Sequence, residues 1–175
     1  YSYNILSEAL LKSENANVTN GVLYEDGPSY KAVILNEANV LSVDTLEKLN
    51  QYADAGLPII LYNCSPSQVY GTETADNNDE TLVQLVDQLK QHEKVASVSS
   101  EEELLTILDQ LQVSSAASYQ ASGIETSHRT DSTNSDYYYI FNSTEETQTT
   151  TMTLEGQGTP YIMDSWTGEI TPIAH

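Results

Sequence analysis

The sequence predicts a mixed α/β protein, in which a layer of parallel strands and helices is followed by antiparallel strands. Between residues 31 and 113, short apolar runs alternate with segments whose apolar residues recur at helical spacing. After residue 123 the helical spacing disappears, and five short runs with strand-like composition follow. The 175 residues are 39% hydrophobic and include twelve tyrosines, which is enough for a packed core without disulfides.

The first strand of the parallel layer is predicted at residues 31–36, an apolar run of the kind buried on both faces of a sheet. A helix begins after it near Ser42 or Asp44, and Gly56 follows where a left-handed C′ residue belongs. The second strand is predicted at residues 58–63, with its proline at the strand start, where no ladder N–H is lost.

The second half of the layer begins with a polar loop over residues 65–78, followed by a strongly periodic helix over residues 79–90. A short third strand is predicted at residues 95–98. Ser100 and Glu103 form a capping box at the start of a third helix. Strands that alternate with helices predict a parallel sheet, and the result is a small flavodoxin-like or amidotransferase-like layer.

The domain division places an α/β domain at residues 1–113, a linker at 114–122 and a β-sandwich portion at 123–175. The linker is rich in Ser, Ala and Gln and carries no helical stripe. The strands of the sandwich portion are predicted at residues 123–129, 136–142, 148–155, 160–164 and 169–173. Five short strands are too few for a complete sandwich, so further strands are expected from a longer protein or another chain.

The net charge of −20 results from 26 acidic and only 6 basic residues. Such a surface repels nucleic acid and anionic lipid, so neither is expected as a partner. No apolar run approaches the roughly 20 residues that span a bilayer. Because the chain starts at Tyr1 without a methionine or a signal peptide, we expect a piece of a longer polypeptide.

Three N-x-S/T sequons, at Asn17, Asn63 and Asn142, predict N-glycosylation. Together with the acidity and the small number of lysines, they favour a secreted, extracellular eukaryotic glycoprotein. The sequon at Asn63 has Cys64 as its middle residue, and we expect it to be the least efficient of the three.

Cys64 follows the second predicted strand, where an amidotransferase-like nucleophile would lie. Such a nucleophile needs glycine neighbours that permit a strained turn, and a histidine that activates the thiol. Here the neighbours are Asn63, Ser65 and Pro66, and His92 is the one histidine that follows within the α/β part. We interpret Cys64 as a semi-buried structural residue and predict no catalytic residue in this chain.

Cofactor and metal sites are not predicted. Residues 37–42, which follow the first strand, contain no glycine for a phosphate cradle, and this argues against nucleotide and flavin ligands. His92, His128 and His175 lie far apart without companion ligands at useful spacing. The neighbouring acid pairs are interpreted as solvated surface groups rather than as the paired carboxylates of glycoside hydrolysis.

Three residues of the β portion are candidate contacts with a partner surface or a sugar: His128, Arg129 and Trp166. Arg129 could pair with a carboxylate across the domain boundary or reach a sugar, and the interface role is favoured. Trp166 lies in a Trp-Thr-Gly turn, where it could stack on a sugar or pack as a corner residue, and packing is favoured.

Several segments together resemble a known family. They are residues 29–36 with 56–60, the aspartate-aromatic strand at 136–138, and the closing segments 154–158 and 166–173. In them the chain resembles the C-terminal part of large secreted fungal glycoside hydrolases related to the α-L-rhamnosidases of glycoside hydrolase family 106. The resemblance implies a catalytic (β/α)8 barrel, an amidotransferase-like layer and β-sandwiches, and this chain matches only the latter parts.

The resulting hypothesis is a noncatalytic supporting portion of a secreted fungal glycoside hydrolase that cleaves terminal glycosidic bonds. Its partner would be the remainder of the glycosidase polypeptide, and carbohydrate would be the substrate of the whole enzyme. One alternative is a free-standing carbohydrate-binding module, which requires a complete sandwich with exposed aromatic residues. The other is a structural or oligomerisation domain, which an exposed apolar patch on the α/β layer would favour.

Overall fold

The computed structural model describes residues 1–69, 75–131, 133 and 135–173, with the backbone alone for residues 75–78. The chain divides into two compact units. The first, the α/β unit, comprises Tyr3–Ser114 with Arg129–Ser135, and the second, the β unit, comprises Tyr1–Ser2, Ser115–His128 and Asp136–His175. The predicted class, a parallel α/β layer followed by antiparallel strands, is confirmed.

The α/β unit begins with three short elements that the sequence analysis did not predict: α1 (Glu8–Leu11), β1 (Val18–Thr19) and β2 (Val22–Leu23). The antiparallel pair β1–β2 is closed by Asn20 and Gly21, whose φ angles of 54° and 77° are both positive. Two consecutive positive φ angles are the requirement of a type I′ turn, and Asn-Gly is its preferred sequence.

The centre of this unit is a parallel sheet of three strands, flanked by helices. In chain order its elements are β3 (Val33–Asn36), α2 (Val43–Asp54), β4 (Ile59–Tyr62), α3 (Ala75–Leu89), β5 (Val95–Val98) and α4 (Glu101–Gln110). The strand order is β3-β4-β5, so β4 is central. None of the described helices is both long and apolar enough to cross a bilayer.

Alternating residues of β4 pack on opposite sides of the sheet. Ile59 and Leu61 belong to the larger core, which α2 and α3 cover, whereas Ile60 packs with Leu108 of α4 in a second cluster. The sheet is therefore the middle of three layers. β4 is buried over most of its length, as its continuous apolar sequence predicts.

The capping signals predicted for α2 and α4 are present, whereas α3 begins at Ala75, within the segment predicted as a loop. The Ser42 side chain caps α2, and Gly56 after its end has a φ angle of 86°. At α4, the Ser100 hydroxyl accepts from the Glu103 N–H as a capping box requires. The Glu103 carboxylate, however, accepts from the Ser99 N–H at 2.8 Å, so the reciprocal half of the predicted box bonds one residue earlier.

The β unit consists of short strand pairs. Its strands are β6 (Ala117–Ser118), β7 (Ile124–Thr130), β8 (Asp136–Asn142), β9 (Thr153–Leu154), β10 (Tyr161–Met163) and β11 (Ile170–Pro172). They pair as β6–β9, β7–β8 and β10–β11. β6 lies in the predicted linker, and the strand predicted at 148–155 is reduced to β9, because β9 pairs only with the two residues of β6.

The two units differ sharply in burial. The buried hydrophobic residues that the structure describes end at Val113, and between residues 114 and 173 no described residue is buried. A polypeptide that orders its backbone without burying side chains does not offset the entropy of ordering. Few buried contacts therefore offset the entropy of ordering the β unit.

Candidate functional site

An open cleft lies at the carboxyl end of the parallel sheet. Its volume is about 480 Å³, and it is lined by Asn39, Leu61, Asn63, Cys64, Ser65, Ser97, Val98, Ser99 and Glu103. This edge is where open α/β sheets bind ligands. The lining acid, Glu103, is already engaged by the Ser99 N–H and hydroxyl.

Cys64 lies in this cleft as a partly buried thiol. Its Sγ donates to the Ala38 carbonyl oxygen at 3.1 Å, and burial raises the pKa of the thiol. Asn63 before it adopts a left-handed φ of 47°. A raised pKa keeps the thiol protonated at neutral pH, whereas a nucleophilic cysteine needs a thiolate. The interpretation of Cys64 as a structural residue stays a prediction.

A second polar cluster forms in the β unit around His128. Its Nε2 lies 2.8 Å from Asp136 Oδ1, and its ring stacks on the Tyr138 ring with 4.6 Å between centroids. The His128 N–H donates to the Ser2 hydroxyl at 2.9 Å. The His128–Asp136 pair thus links β7 to β8, and the His128 ring lies flat against the Tyr138 ring.

Tyr138 connects two strand pairs of the β unit. Its hydroxyl lies 3.0 Å from the Ala116 carbonyl oxygen and 2.6 Å from that of Glu155, and it donates toward both. Burial raises the pKa of Tyr138, and the neighbouring carboxylates Asp136 and Glu155 raise it further. Sequence reasoning missed this role, because Tyr138 stands between Tyr137 and Tyr139 and only the strand's orientation distinguishes the three.

Arg129 and Trp166, the other two predicted contacts, are both exposed. Arg129 Nη2 donates to the Asn4 side-chain oxygen at 3.0 Å. Trp166 is 97% exposed, so it is not packed as a corner residue in this chain, although packing was the favoured interpretation. His128, by contrast, is partly buried in its cluster.

The turn that presents Trp166 is held by Asp164. The Asp164 Oδ1 atom accepts from the Trp166 N–H at 2.8 Å and from the Thr167 N–H at 2.7 Å. These bonds lower the pKa of the Asp164 carboxyl, so it is ionised at neutral pH. Gly168 completes the turn with a φ of 75° and donates to the Asp164 carbonyl oxygen at 2.8 Å.

The three sequon asparagines are all exposed, and glycosylation stays a prediction. Asn63 lies at the cleft of the α/β unit, whereas Asn17 precedes β1 and Asn142 ends β8. The Asn142 amide nitrogen donates to the Glu146 carbonyl oxygen at 2.8 Å, and its side-chain oxygen accepts from the Thr144 N–H.

The histidines considered as metal ligands lie in different surroundings. His92 Nδ1 is 3.6 Å from an Asp54 carboxylate oxygen, His128 pairs with Asp136, and His175 lies outside the described residues. Within the part of the chain that the structure describes, no three His, Cys, Asp or Glu side chains are grouped to hold a metal ion.

Comparison of the chain with protein-family models, curated proteins and solved structures gives no match.

Proposed function

We propose that this chain is a noncatalytic supporting portion of a larger secreted glycoside hydrolase, with the catalytic barrel outside the chain. The whole enzyme would hydrolyse a terminal glycosidic bond, and α-L-rhamnosides are the first substrates to test. The family resemblance given above motivates the choice of enzyme. The partner is the remainder of the glycosidase polypeptide.

The observation that carries the supporting role is the burial difference between the two units. Every buried hydrophobic residue that the structure describes lies at or before Val113. The β unit exposes large apolar side chains, and those of β8 are Tyr137, Tyr139, Ile140 and Phe141. Exposed apolar surface next to unpaired strand edges is typical of a part that is completed by another surface.

The chemistry of the cleft favours a supporting role over an amidotransferase-like reaction. The Cys64 thiol has a raised pKa and is hydrogen-bonded to a main-chain carbonyl. The cleft's acid, Glu103, serves the start of α4. Both groups thus have partners within the α/β unit itself.

Native mass spectrometry of the protein purified from its source, before and after denaturation, tests the proposal. An assay on aryl glycosides, with the α-L-rhamnoside included, accompanies it. We expect the chain to be found within or bound to a much larger polypeptide that hydrolyses one of these substrates.

A single species of 19.3 kDa plus glycans would overturn the proposal. A larger assembly without glycosidase activity on any aryl glycoside would overturn its enzymatic part.

A further inference from the structure

The hairpin formed by β10 and β11, with Trp166 at its tip, is apolar on both faces. We call residues 160–173 the Trp166 hairpin. The strand register places Tyr161 opposite Pro172 and Met163 opposite Ile170, so these four residues share one face. The other face carries Ile162 opposite Thr171, with Pro160 and Ile173 beside them.

The apolar residues of both faces are open. The exposed fractions of five of them lie between 40% and 58%: Tyr161, Ile162, Met163, Ile170 and Ile173. A hairpin with one face on a core and one in water shows alternating apolar and polar residues. This hairpin does not alternate, and its composition is that of strands buried on both faces.

Among the residues that the structure describes, β10 and β11 pair only with each other. An isolated two-stranded hairpin is marginally stable at best, and its two edges leave backbone groups unpaired. A surface that pairs with an edge and covers the apolar faces satisfies both needs. Polypeptide in β conformation provides such a surface.

The turn that carries Trp166 is stabilised without any contact made by the tryptophan side chain. Asp164 holds the turn through its bonds to the main chain of Trp166, Thr167 and Gly168, and the Asp164 N–H donates to the Glu169 carbonyl oxygen at 2.9 Å. A tryptophan in a preorganised turn loses little entropy on binding, and tryptophan is enriched among the residues that dominate interface energies.

Charge distinguishes the possible partners. Beyond Arg129 the sequence contains neither lysine nor arginine, but seven acidic residues: Asp131, Asp136, Glu145, Glu146, Glu155, Asp164 and Glu169. A second copy of this chain would bring two acidic surfaces together, each chain having a net charge of −20. Like charges across an interface suppress association, so the partner's rim is neutral or basic.

We infer that the Trp166 hairpin inserts into a β-structured protein surface with an apolar cleft and a neutral or basic rim, and that Trp166 is its anchor. This rests on the proposed function, in which that surface belongs to the remainder of the glycosidase. A sugar stacked on Trp166 would leave the apolar residues of the two hairpin faces in water. Protein is therefore the better match for the whole hairpin.

Photo-cross-linking in the assembled protein tests the inference. The protein is produced in a secreting host with p-benzoylphenylalanine at position 166, purified as its intact assembly and irradiated. The same probe at Leu105, an exposed apolar residue of α4, is the control. We expect position 166 to cross-link to a peptide outside residues 1–175 that is a stoichiometric part of the assembly.

The outcomes separate the inference from the proposed function. A cross-link to a stoichiometric polypeptide without glycosidase activity supports the inference and overturns the proposed function. Glycosidase activity in the assembly without a protein cross-link from position 166 does the reverse. Cross-links only within residues 1–175, to a second copy or to carbohydrate overturn the inference.

A matched pair of substitutions gives a second readout. In the assembled protein, Trp166→Ala should raise the rate of proteolytic cleavage within residues 160–173 by about 10-fold or more, because cleavage follows the population of undocked hairpin. Leu105→Ala removes an apolar side chain that is 48% exposed on the α/β unit and should leave that rate unchanged. Equal rates in the Trp166→Ala variant and the unsubstituted protein would contradict the anchor role.

Discussion

Cys64 illustrates how the surroundings of one side chain decide its chemistry. The residue stands after a central strand, where nucleophiles of α/β enzymes are often found, but burial raises the pKa of its thiol. Its hydrogen bond to the Ala38 carbonyl oxygen joins the segments that follow β3 and β4. The thiol thus takes part in the packing at the cleft, and its raised pKa keeps it protonated at neutral pH.

Alkylation of Cys64 should accordingly be slow in the folded protein. At pH 8 we expect iodoacetamide to react at least about 10-fold more slowly with the native chain than with the urea-unfolded chain, since the thiolate is the reactive form. Cys64 is the one cysteine in the sequence, so intact mass reports it directly. Faster reaction in the native chain would indicate an activated nucleophile.

Tyr52 is a buried residue whose ionisation is coupled to stability. Its hydroxyl lies 2.6 Å from the Leu11 carbonyl oxygen and 2.7 Å from that of Ala16, and it donates toward both. Burial raises the pKa of Tyr52 to about 12, with a smaller contribution from Tyr24. The neutral phenol of α2 thus binds both the end of α1 and the segment that follows it.

The substitution Tyr52→Phe should lower the free energy of unfolding by about 1–2 kcal/mol at pH 7, because two carbonyl groups lose their donor. The folded-state pKa lies above the unfolded value of about 10. The stabilisation is therefore complete below pH 10 and is lost as the pH rises toward 12.

Urea unfolding of both proteins at several pH values measures this difference. Tyr3→Phe, at an exposed tyrosine, serves as the control and should have little effect. A constant difference between the Tyr52→Phe variant and the unsubstituted protein from pH 7 to 12 would contradict the coupling.

At the scale of elements, the strand pairs of the β unit are joined by side chains more than by a continuous sheet. Tyr138 of β8 reaches the carbonyl oxygens of Ala116 and Glu155, which flank the pair β6–β9. The His128 ring stacks on Tyr138 and pairs with Asp136. One hydroxyl thus connects two strand pairs.

Removal of that hydroxyl in Tyr138→Phe should loosen the pair β6–β9. We expect amide hydrogen exchange in residues 116–118 and 153–155 to become about 5- to 10-fold faster, because a hydrogen bond worth about 1 kcal/mol is lost. Tyr139→Phe changes an exposed neighbour on the same strand and should leave this exchange unaltered. The same acceleration in both variants would exclude the bridging role.

Local signals predicted the three strands of the parallel sheet and the helices α2, α3 and α4, but not the elements before them. Ser42, Gly56 and the apolar run of β4 act through the backbone and the nearest neighbours, so the sequence contains what they need. Asn20 and Gly21 gave a hairpin signal that was overlooked. The strand predicted at residues 148–155 depends on a partner strand, which local sequence cannot supply.

The candidate sites were less predictable for the same reason. The structural role of Cys64 stays a prediction, and its argument from missing glycines did not anticipate the left-handed φ of 47° at Asn63. The exposure of Trp166 and the bridging role of Tyr138 depend on the spatial arrangement of strands that lie far apart in sequence. Local patterns do not determine such arrangements.

At the scale of the whole molecule, stability is distributed unevenly along the chain. The α/β unit contains both core clusters, whereas the described residues from 114 to 173 include none that is buried. Local opening is favoured where few apolar contacts are made. The isolated chain should therefore open its β unit at a much smaller free-energy cost than its α/β unit.

Limited proteolysis of the isolated 175-residue chain should cleave residues 115–173 at least about 10-fold faster than α2, β4 or α4, because cleavage follows the population of locally opened states. Since lysine and arginine are missing after Arg129, a protease of broad specificity such as proteinase K is required rather than trypsin. Intact mass of the products over time should show a resistant fragment that ends near residue 114. Digestion in urea, where both regions are unfolded, controls for sequence preference and should remove the difference. Early cleavage within α2, β4 or α4 in buffer would show that the burial difference does not govern the stability of this chain.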